Sequence, residues 1–297
     1  MQRVRPLSAL SFGERLNFLL TNRLPRRWLT LAMGRFSRLR SPLLAALSIR
    51  VWQLFVDDLR LHEAKKTRFD SLHDCFTREL KPGARPVAPG DEILTSPCDA
   101  VVGEFGDLVD GQAIQAKGFP YAVAELLGSP TDAPGGRFLT LRLKSSMYHR
   151  FHAPADGSVD SVRYISGDTW NVNPVALKVV ERLFTRNERV VLPFRHTSGT
   201  EITLVAVAAI LVASLRIDGL PEPLDLRYRG PNDIRFDRSY RKGEEIGYFE
   251  HGSTIVMLLP SNVEFLPALT TGEVVRMGQP ILAVHTPQPL NGVDTQT

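Results

Sequence analysis

Phe249-Glu250-His251-Gly252-Ser253-Thr254-Ile255-Val256, continuing through Met257-Leu258-Leu259, is the stretch from which the chain reads outward. Upstream lies a polar turn, Arg241-Lys242-Gly243-Glu244-Glu245, and Ile255–Leu259 downstream is apolar at every position. Both flanks predict strands, so Gly252-Ser253 falls at a bend or strand start and not in a helix. A Gly-Ser bond placed there has a chemical option as well as a structural one. Glycine tolerates strained backbone angles, so the serine hydroxyl can fold back onto the preceding carbonyl carbon. Attack gives an N→O acyl shift. β-Elimination of that ester splits the chain and leaves a dehydroalanine, which hydrolyses to a pyruvoyl group. By itself Gly-Ser-Thr also fits a plain turn, and the rest of the chain has to decide.

Further short β-type runs bounded by Gly, Pro and Asp lie at Val101-Val102, Phe138–Leu143, Val159–Val162, Val190–Leu192, Ile202–Leu211 and Ile281–Val284. Helices are expected around Ala122–Leu127 and Pro174–Thr185, with a short helix or turn over 70–80. The Pro/Gly-rich stretch Lys81–Gly90 reads as the linker into this body. No βαβ rhythm, P-loop, GxGxxG or repeat is present. The expected class is therefore α+β, a mainly antiparallel sheet body (69–297) behind an N-terminal amphipathic helical segment (1–68). Of 297 residues 43% are hydrophobic and 23% charged, which argues for an ordered globular chain. Cys75 and Cys98 have neither CxxC nor metal spacing and read as reduced thiols.

The whole chain carries only +4, but residues 1–60 hold eleven arginines against Glu14, Asp57 and Asp58. Interleaved at helical spacing are Leu16, Phe18, Leu19, Trp28, Leu29, Phe36, Leu43, Leu47, Trp52 and Phe55, with breaks near Pro25 and Ser41-Pro42. No run reaches the ~18 apolar residues of a membrane span. Three readings fit this segment: helices packed on the protein's own core, an Arg-rich transit peptide, and docking on an anionic bilayer surface. The last is preferred, because Trp, Phe and snorkelling arginines suit an interface. Nucleic acid is a poor fit, since the segment is too apolar for a phosphate-tracking arm and shows no binding motif.

Three polar positions could act on Ser253. Asp99, in Ser96-Pro97-Cys98-Asp99-Ala100, precedes a strand, and Tyr148-His149-Arg150-Phe151-His152 places two histidines three residues apart. On a strand those two face opposite sides, so a shared site would need a turn there. The pair also fits a polar turn; as a zinc site it lacks a third ligand at a telling distance. Asp, His and Ser together are the parts of a relay that deprotonates a weak hydroxyl.

The set Asp99, His149, His152 and Gly252-Ser253-Thr254 resembles the phosphatidylserine decarboxylase proenzyme family. Supporting stretches, in family order over roughly 55–285, include Phe76–Pro82 with Arg85-Pro86, Ala116-Lys117-Gly118, Glu125–Gly128, Asn171–Pro174, Asn187-Glu188-Arg189, Lys242–Gly247 and Gly272 through Gln279. Collinearity of this extent is far more specific than one motif. One departure is His251, where the family usually has leucine.

The resemblance implies two stages. Asp99 orients His152, His152 deprotonates Ser253, and self-cleavage yields a β chain of 1–252 and an α chain of 253–297 headed by a covalent pyruvoyl group from Ser253. The ketone of that group then condenses with the amino group of phosphatidylserine and takes up the electrons left behind by CO2, giving phosphatidylethanolamine. His149 is assigned proton donation or carboxylate positioning. Neither a metal nor a diffusible cofactor is expected. A homodimer of cleaved units is an assembly the resemblance admits, and the expected location is peripheral, on the cytoplasmic face of a bacterial-type cell membrane. Two rivals differ in keeping the chain whole: a hydrolase using Ser253, His152 and Asp99, against which the lack of a GxSxG elbow counts, and a non-catalytic membrane-bound β-domain.

Overall fold

The computed structural model describes residues 10–22, 26–56, 58–116, 119–129, 136–209, 214–250 and 253–285. It is an α+β protein whose sheets are antiparallel throughout. Three helices come first: α1 (Phe12–Asn22), α2 (Arg26–Ser37) and α3 (Pro42–Gln53). Ser11 and Glu14 close α1 reciprocally, Ser11 N–H to Glu14 Oε2 at 3.0 Å and Glu14 N–H to Ser11 Oγ at 3.3 Å, a capping box. α3 starts where Ser41 caps Leu44 N–H and Pro42 presets the first turn. After a 3-10 turn at Leu61–Glu63 comes α4 (Leu72–Phe76).

The body follows as β1 (Ile93–Thr95), β2 (Ala100–Asp107), β3 (Gln112–Ala116), β4 (Phe119–Ala122), α5 (Val123–Leu127), β5 (Gly136–Leu143), β6 (Arg150–His152) and β7 (Gly157–Ile165). Next are α6 (Pro174–Val179), α7 (Leu183–Arg186), β8 (Arg189–His196), β9 (Glu201–Ala208), β10 (Ser214–Ile217) and β11 (Leu224–Asp225). The chain closes with β12 (Asp233–Tyr240), β13 (Glu245–Phe249), β14 (Ser253–Pro260), β15 (Val263–Phe265), β16 (Val274–Val275) and β17 (Pro280–Val284). The principal sheet runs β12-β7-β8-β9-β14-β5-β2-β16.

β14 is central, hydrogen-bonded to β9 and β5 on either side, and every residue from Ser253 to Leu259 is buried. Successive side chains of a strand alternate faces, so this run serves two cores. Ile255, Met257 and Leu259 enter the core shared with β6, β10, β13 and β17, through Phe151, Leu215, Ile246, Phe249 and Leu282. Val256 and Leu258 enter the other, capped by Phe18 of α1, Tyr121, Leu126, Leu177 and Phe184. Full burial of one such side chain stabilises by roughly 1.5–3 kcal/mol, which is why a strand covered on both faces reads as uninterrupted apolar sequence and not as alternation.

The expected helix over 174–185 is two pieces. Val180 leaves the helix, Arg182 takes φ 54, and α7 begins afresh. Gln115 fills the break: its Nε2 donates to the carbonyls of Leu177 (2.9 Å) and Val180 (2.8 Å), and its Oε1 accepts from Leu183 N–H. Orphan groups at both helix ends are thereby satisfied. The Lys81–Gly90 segment is non-repetitive, as expected, yet it hands a buried Arg85 to the site described below. Cys75 and Cys98 are free and buried, and burial pushes the Cys75 thiol up to about 12.

Each N-terminal helix rests on the body along one side only. Phe18 of α1 joins the second core, and Asn17 accepts from Asn173 at 2.9 Å. Ile49 of α3 joins Leu59, Ala64, Phe69 and Cys75 in a small separate core. The outer sides leave apolar groups in solvent: Phe12 is 83% exposed, Trp28 77%, Leu43 86% and Phe55 81%. Among the described residues no helix is long and apolar enough to cross a membrane.

Candidate active site

The strand register gathers the site at one end of the principal sheet. Val101 lies opposite Arg142, Arg142 opposite Thr254, and Thr254 opposite Val207. β2 and β14 run in the same direction, so Asp99, two residues before that row, and Ser253, one before it, emerge at the same edge. They stand two strands apart, about 10 Å. Leu143, opposite Ser253, leads into the 144–149 loop at that edge.

Ser253 is fully buried, and its Oγ has no hydrogen-bond partner among the described residues. An unpaired buried hydroxyl costs about 1–3 kcal/mol and calls for a reason. Gly252 and His251 lie outside the described residues. The segment before them is held firmly: Phe249 N–H donates to His149 O at 3.0 Å, and Glu250 N–H donates to Ser214 O at 3.1 Å.

The two histidines take different surroundings. His149 directly precedes β6, the turn of its loop lies before it at 145–146 and not between the two histidines, and its ring packs on Phe76 with centroids 4.0 Å apart. Its Nδ1 lies 2.8 Å from Met147 O. A carbonyl only accepts, so Nδ1 of His149 carries a proton. His152, opposite Glu245 on β13, has Nδ1 3.0 Å from Gly243 O and Nε2 3.0 Å from the Tyr148 hydroxyl. The same logic makes it an Nδ1–H tautomer that accepts from Tyr148. Gly243 turns with φ 80, and a Cβ there would meet Val87 at 2.6 Å, so the carbonyl that anchors His152 depends on glycine. Burial, with Arg150 adding to it against the opposing pull of Gly243 O and Asp99, lowers the His152 pKa to about 4. The ring is neutral at physiological pH and able to receive a proton.

Asp99, expected to orient His152, accepts no hydrogen bond from it, since both ring nitrogens of His152 are engaged with Tyr148 and Gly243. Both Asp99 oxygens are occupied: Arg85 Nε donates to Oδ1 at 2.8 Å and Nη2 to Oδ2 at 2.6 Å, while Met277 N–H donates to Oδ1 at 3.0 Å and Arg276 stands at 3.5 Å. A bidentate guanidinium outcompetes a neutral imidazole for a buried carboxylate. Asp99 still acts on His152 through space, favouring its protonated form, and Pro97, beside it, accepts from His152 N–H at 2.8 Å.

Sequence reasoning passed over three groups. Arg85 was read only as part of the Lys81–Gly90 linker and of the family-like Arg85-Pro86 pair; its burial next to Asp99 and Glu63 follows only from tertiary structure. Tyr148 was visible inside the histidine motif, but its bond to His152 was not. Glu250 gave no signal, yet it is buried and paired with Arg38 and with His73 at 3.2 Å. Next to Asp99 opens a cavity of about 210 Å³ where Arg60, Arg78, Arg85, Lys144 and Arg276 face Asp58, Glu63 and Asp99. Five cations against three carboxylates favour an anionic guest.

The buried Ser253 and Asp99 share one edge of the principal sheet, and the neutral His152 lies on β6 of the neighbouring four-stranded sheet. The phosphatidylserine decarboxylase family model matches residues 72–283. The chain is 34% identical over 274 residues to a phosphatidylserine decarboxylase proenzyme of Brevibacillus brevis, covering 90% of this chain and 97% of that one. It is 36% identical over 271 residues to the proenzyme of that name from Vibrio parahaemolyticus (86% and 94% covered), and 34% over 278 residues to that of Pseudoalteromonas translucida (88% and 95%). The chain belongs to the phosphatidylserine decarboxylase family and is a decarboxylase.

Proposed function

We propose that the chain is a self-processing enzyme that converts phosphatidylserine to phosphatidylethanolamine and CO2 at a membrane surface. The observation that carries this reading is the buried Ser253 hydroxyl at the first position of the central strand, which has no partner among the described residues. His152 is the base. It is neutral, its lone pair is on Nε2, and the Tyr148 hydroxyl has to yield that position for the Ser253 proton to arrive. Asp99, clamped by Arg85, stabilises the imidazolium that results. The Ser253 oxygen attacks the Gly252 carbonyl carbon, and the Gly252–Ser253 amide becomes an ester. Loss of the Ser253 α-proton expels the Gly252 carboxylate, and water then replaces the nitrogen of residue 253, which leaves as ammonia. The products are 1–252 and 253–297.

A pyruvoyl group at position 253 supplies an electron sink for decarboxylation. Around it the chain's own residues bind and move protons. The cationic cavity receives the anionic headgroup. His149, oriented by Met147 O and seated on Phe76, holds the substrate carboxylate or returns a proton from its ring.

The segment 1–68 docks the protein as a peripheral membrane component, with 69–297 as the catalytic body. The solvent-facing Phe12, Trp28, Leu43 and Phe55 enter the interface while exposed Arg35, Arg40 and Arg50 meet anionic headgroups. A homodimer of cleaved units is compatible with this orientation. The test is CO2 release and phosphatidylethanolamine formation from phosphatidylserine vesicles by the purified protein. Turnover that Ser253→Ala abolishes supports the assignment; turnover that survives in Ser253→Ala ends it.

A further inference from the structure

Glu250 lies two residues before the Gly252–Ser253 bond, on a segment that joins β13 to β14. Its side chain is 2% exposed. Around it converge Arg38 at the end of α2, His73 of α4 at 3.2 Å, and Arg216 of β10, whose Nε stands at 4.0 Å. Burial would raise the Glu250 pKa, but His73 and Arg38 outweigh it and hold the carboxyl below its usual value. The carboxylate is therefore charged, buried, and dependent on partners drawn from three distant parts of the chain. Such a charge is tolerated only while those partners stay in place.

The placement of this cluster is what gives it meaning. Arg38 belongs to the basic helical segment assigned to membrane docking, and it is bonded 212 positions away to the approach to the scissile bond. Its Nη1 is also tied back to Gly34 O of α2 at 3.4 Å. On the far side of the bond, Ser253 is fixed in register between Leu143 and Ala208. The scissile peptide is thus bracketed by a strand on one side and by the Glu250 anchor on the other. Attack by Ser253 Oγ on the Gly252 carbonyl needs a near-attack geometry, and anchoring both sides restricts the torsions that set it.

We propose that Glu250 is a positioning residue for self-cleavage, and that Arg38 makes the seating of docking helix α2 a condition for efficient cleavage. The inference rests on the self-processing reading given above. Glu250 bonds to Arg38 and His73 while the ring of His152 is bonded to Tyr148 and Gly243, so the effect is expected on cleavage and not on decarboxylation.

The test follows full-length protein made by cell-free synthesis and chased over time, with cut and uncut chains resolved by mass. Arg38→Gln and Glu250→Gln are each expected to slow cleavage about tenfold, equivalent to about 1.4 kcal/mol of barrier. Arg38→Lys, which keeps the charge, stays within about threefold of wild type. Cleavage is compared per folded chain, because Arg38→Gln leaves Glu250 charged and buried and is expected to lower the melting temperature of the uncut, Ser253→Ala-backed version; decarboxylation of detergent-dispersed substrate per cleaved chain stays at the wild-type value. Cleavage at the wild-type rate in both Gln variants overturns the proposal. So does slowing that merely follows a fall in folded protein, or a Lys variant as slow as Gln. A wild-type chain that never cleaves while active would instead refute the self-processing reading itself.

Discussion

The strand that carries Ser253 and the helices that precede the body are both dominated by apolar side chains, and they dispose of them in opposite ways. β14 is covered on both faces and exposes nothing from Ser253 to Leu259. α1–α3 bury a narrow line, Phe18, Ala45 and Ile49, and turn Phe12, Trp28, Leu43 and Leu47 outward. Hydrophobic content alone does not place a residue inside; the number of faces that find a partner does. In β14 the two cores bury polar Ser253 and Thr254 at its start along with the apolar run. The outward apolar faces of the helices, interleaved with arginines, suit a boundary between water and lipid. On the proposed reading one region sets the chemistry and the other the address, and the Arg38–Glu250 ion pair joins them.

The contrast can be strained at several points. The largest expected effect is on the base: His152→Gln should slow self-cleavage by about 10²–10⁴-fold, the usual contribution of a positioned base. A rate within threefold of wild type would remove His152 from that role. Next comes the contrast in burial, measured by urea denaturation on the uncut Ser253→Ala background. Met257→Ala in β14 should cost about 2–5 kcal/mol, whereas Leu43→Ala on α3 should stay within about 0.5 kcal/mol. Equal costs would mean that the helices are packed like the strand.

Replacing Arg35, Arg40 and Arg50 together by Gln should weaken binding to anionic vesicles by about 1 kcal/mol per charge at low salt, and by less as salt screens them. Binding that is unchanged at low salt would refute docking through this face. Arg38 is left intact because Glu250 already occupies it.

The smallest effect concerns pH. The His152 pKa of about 4 is lower folded than the ordinary 6.5 of an exposed ring, so the unfolded chain binds the proton first as pH falls. Stability from this group is complete above about pH 6.5 and is lost as pH drops toward about 4, by at most about 1.4 kcal/mol per pH unit. His152→Gln should flatten that part of the stability profile; an unaltered slope would assign it to other groups.

How much of this was readable beforehand follows the same division. β5, β8, β9 and β14 are apolar runs and announce themselves. β12, Asp-Ile-Arg-Phe-Asp-Arg-Ser-Tyr, was missed because it is an edge strand whose charges face solvent. The break between α6 and α7 was illegible because Gln115, remote in sequence, satisfies both helix ends. Asp99, His149, His152 and Ser253 were picked out by motif, and the register brings Asp99 and Ser253 to one edge of the principal sheet. Their partners were hidden: that Arg85 holds Asp99, Tyr148 occupies His152 and Arg38 reaches Glu250 are facts of tertiary packing, with no local period to betray them.

The most direct test of the central claim is the intact mass of purified wild-type protein beside Ser253→Ala. The account predicts two wild-type chains, 1–252 and 253–297, the smaller without a free amino terminus, and one uncut chain for the variant. A single uncut wild-type chain in a preparation that decarboxylates phosphatidylserine would contradict it.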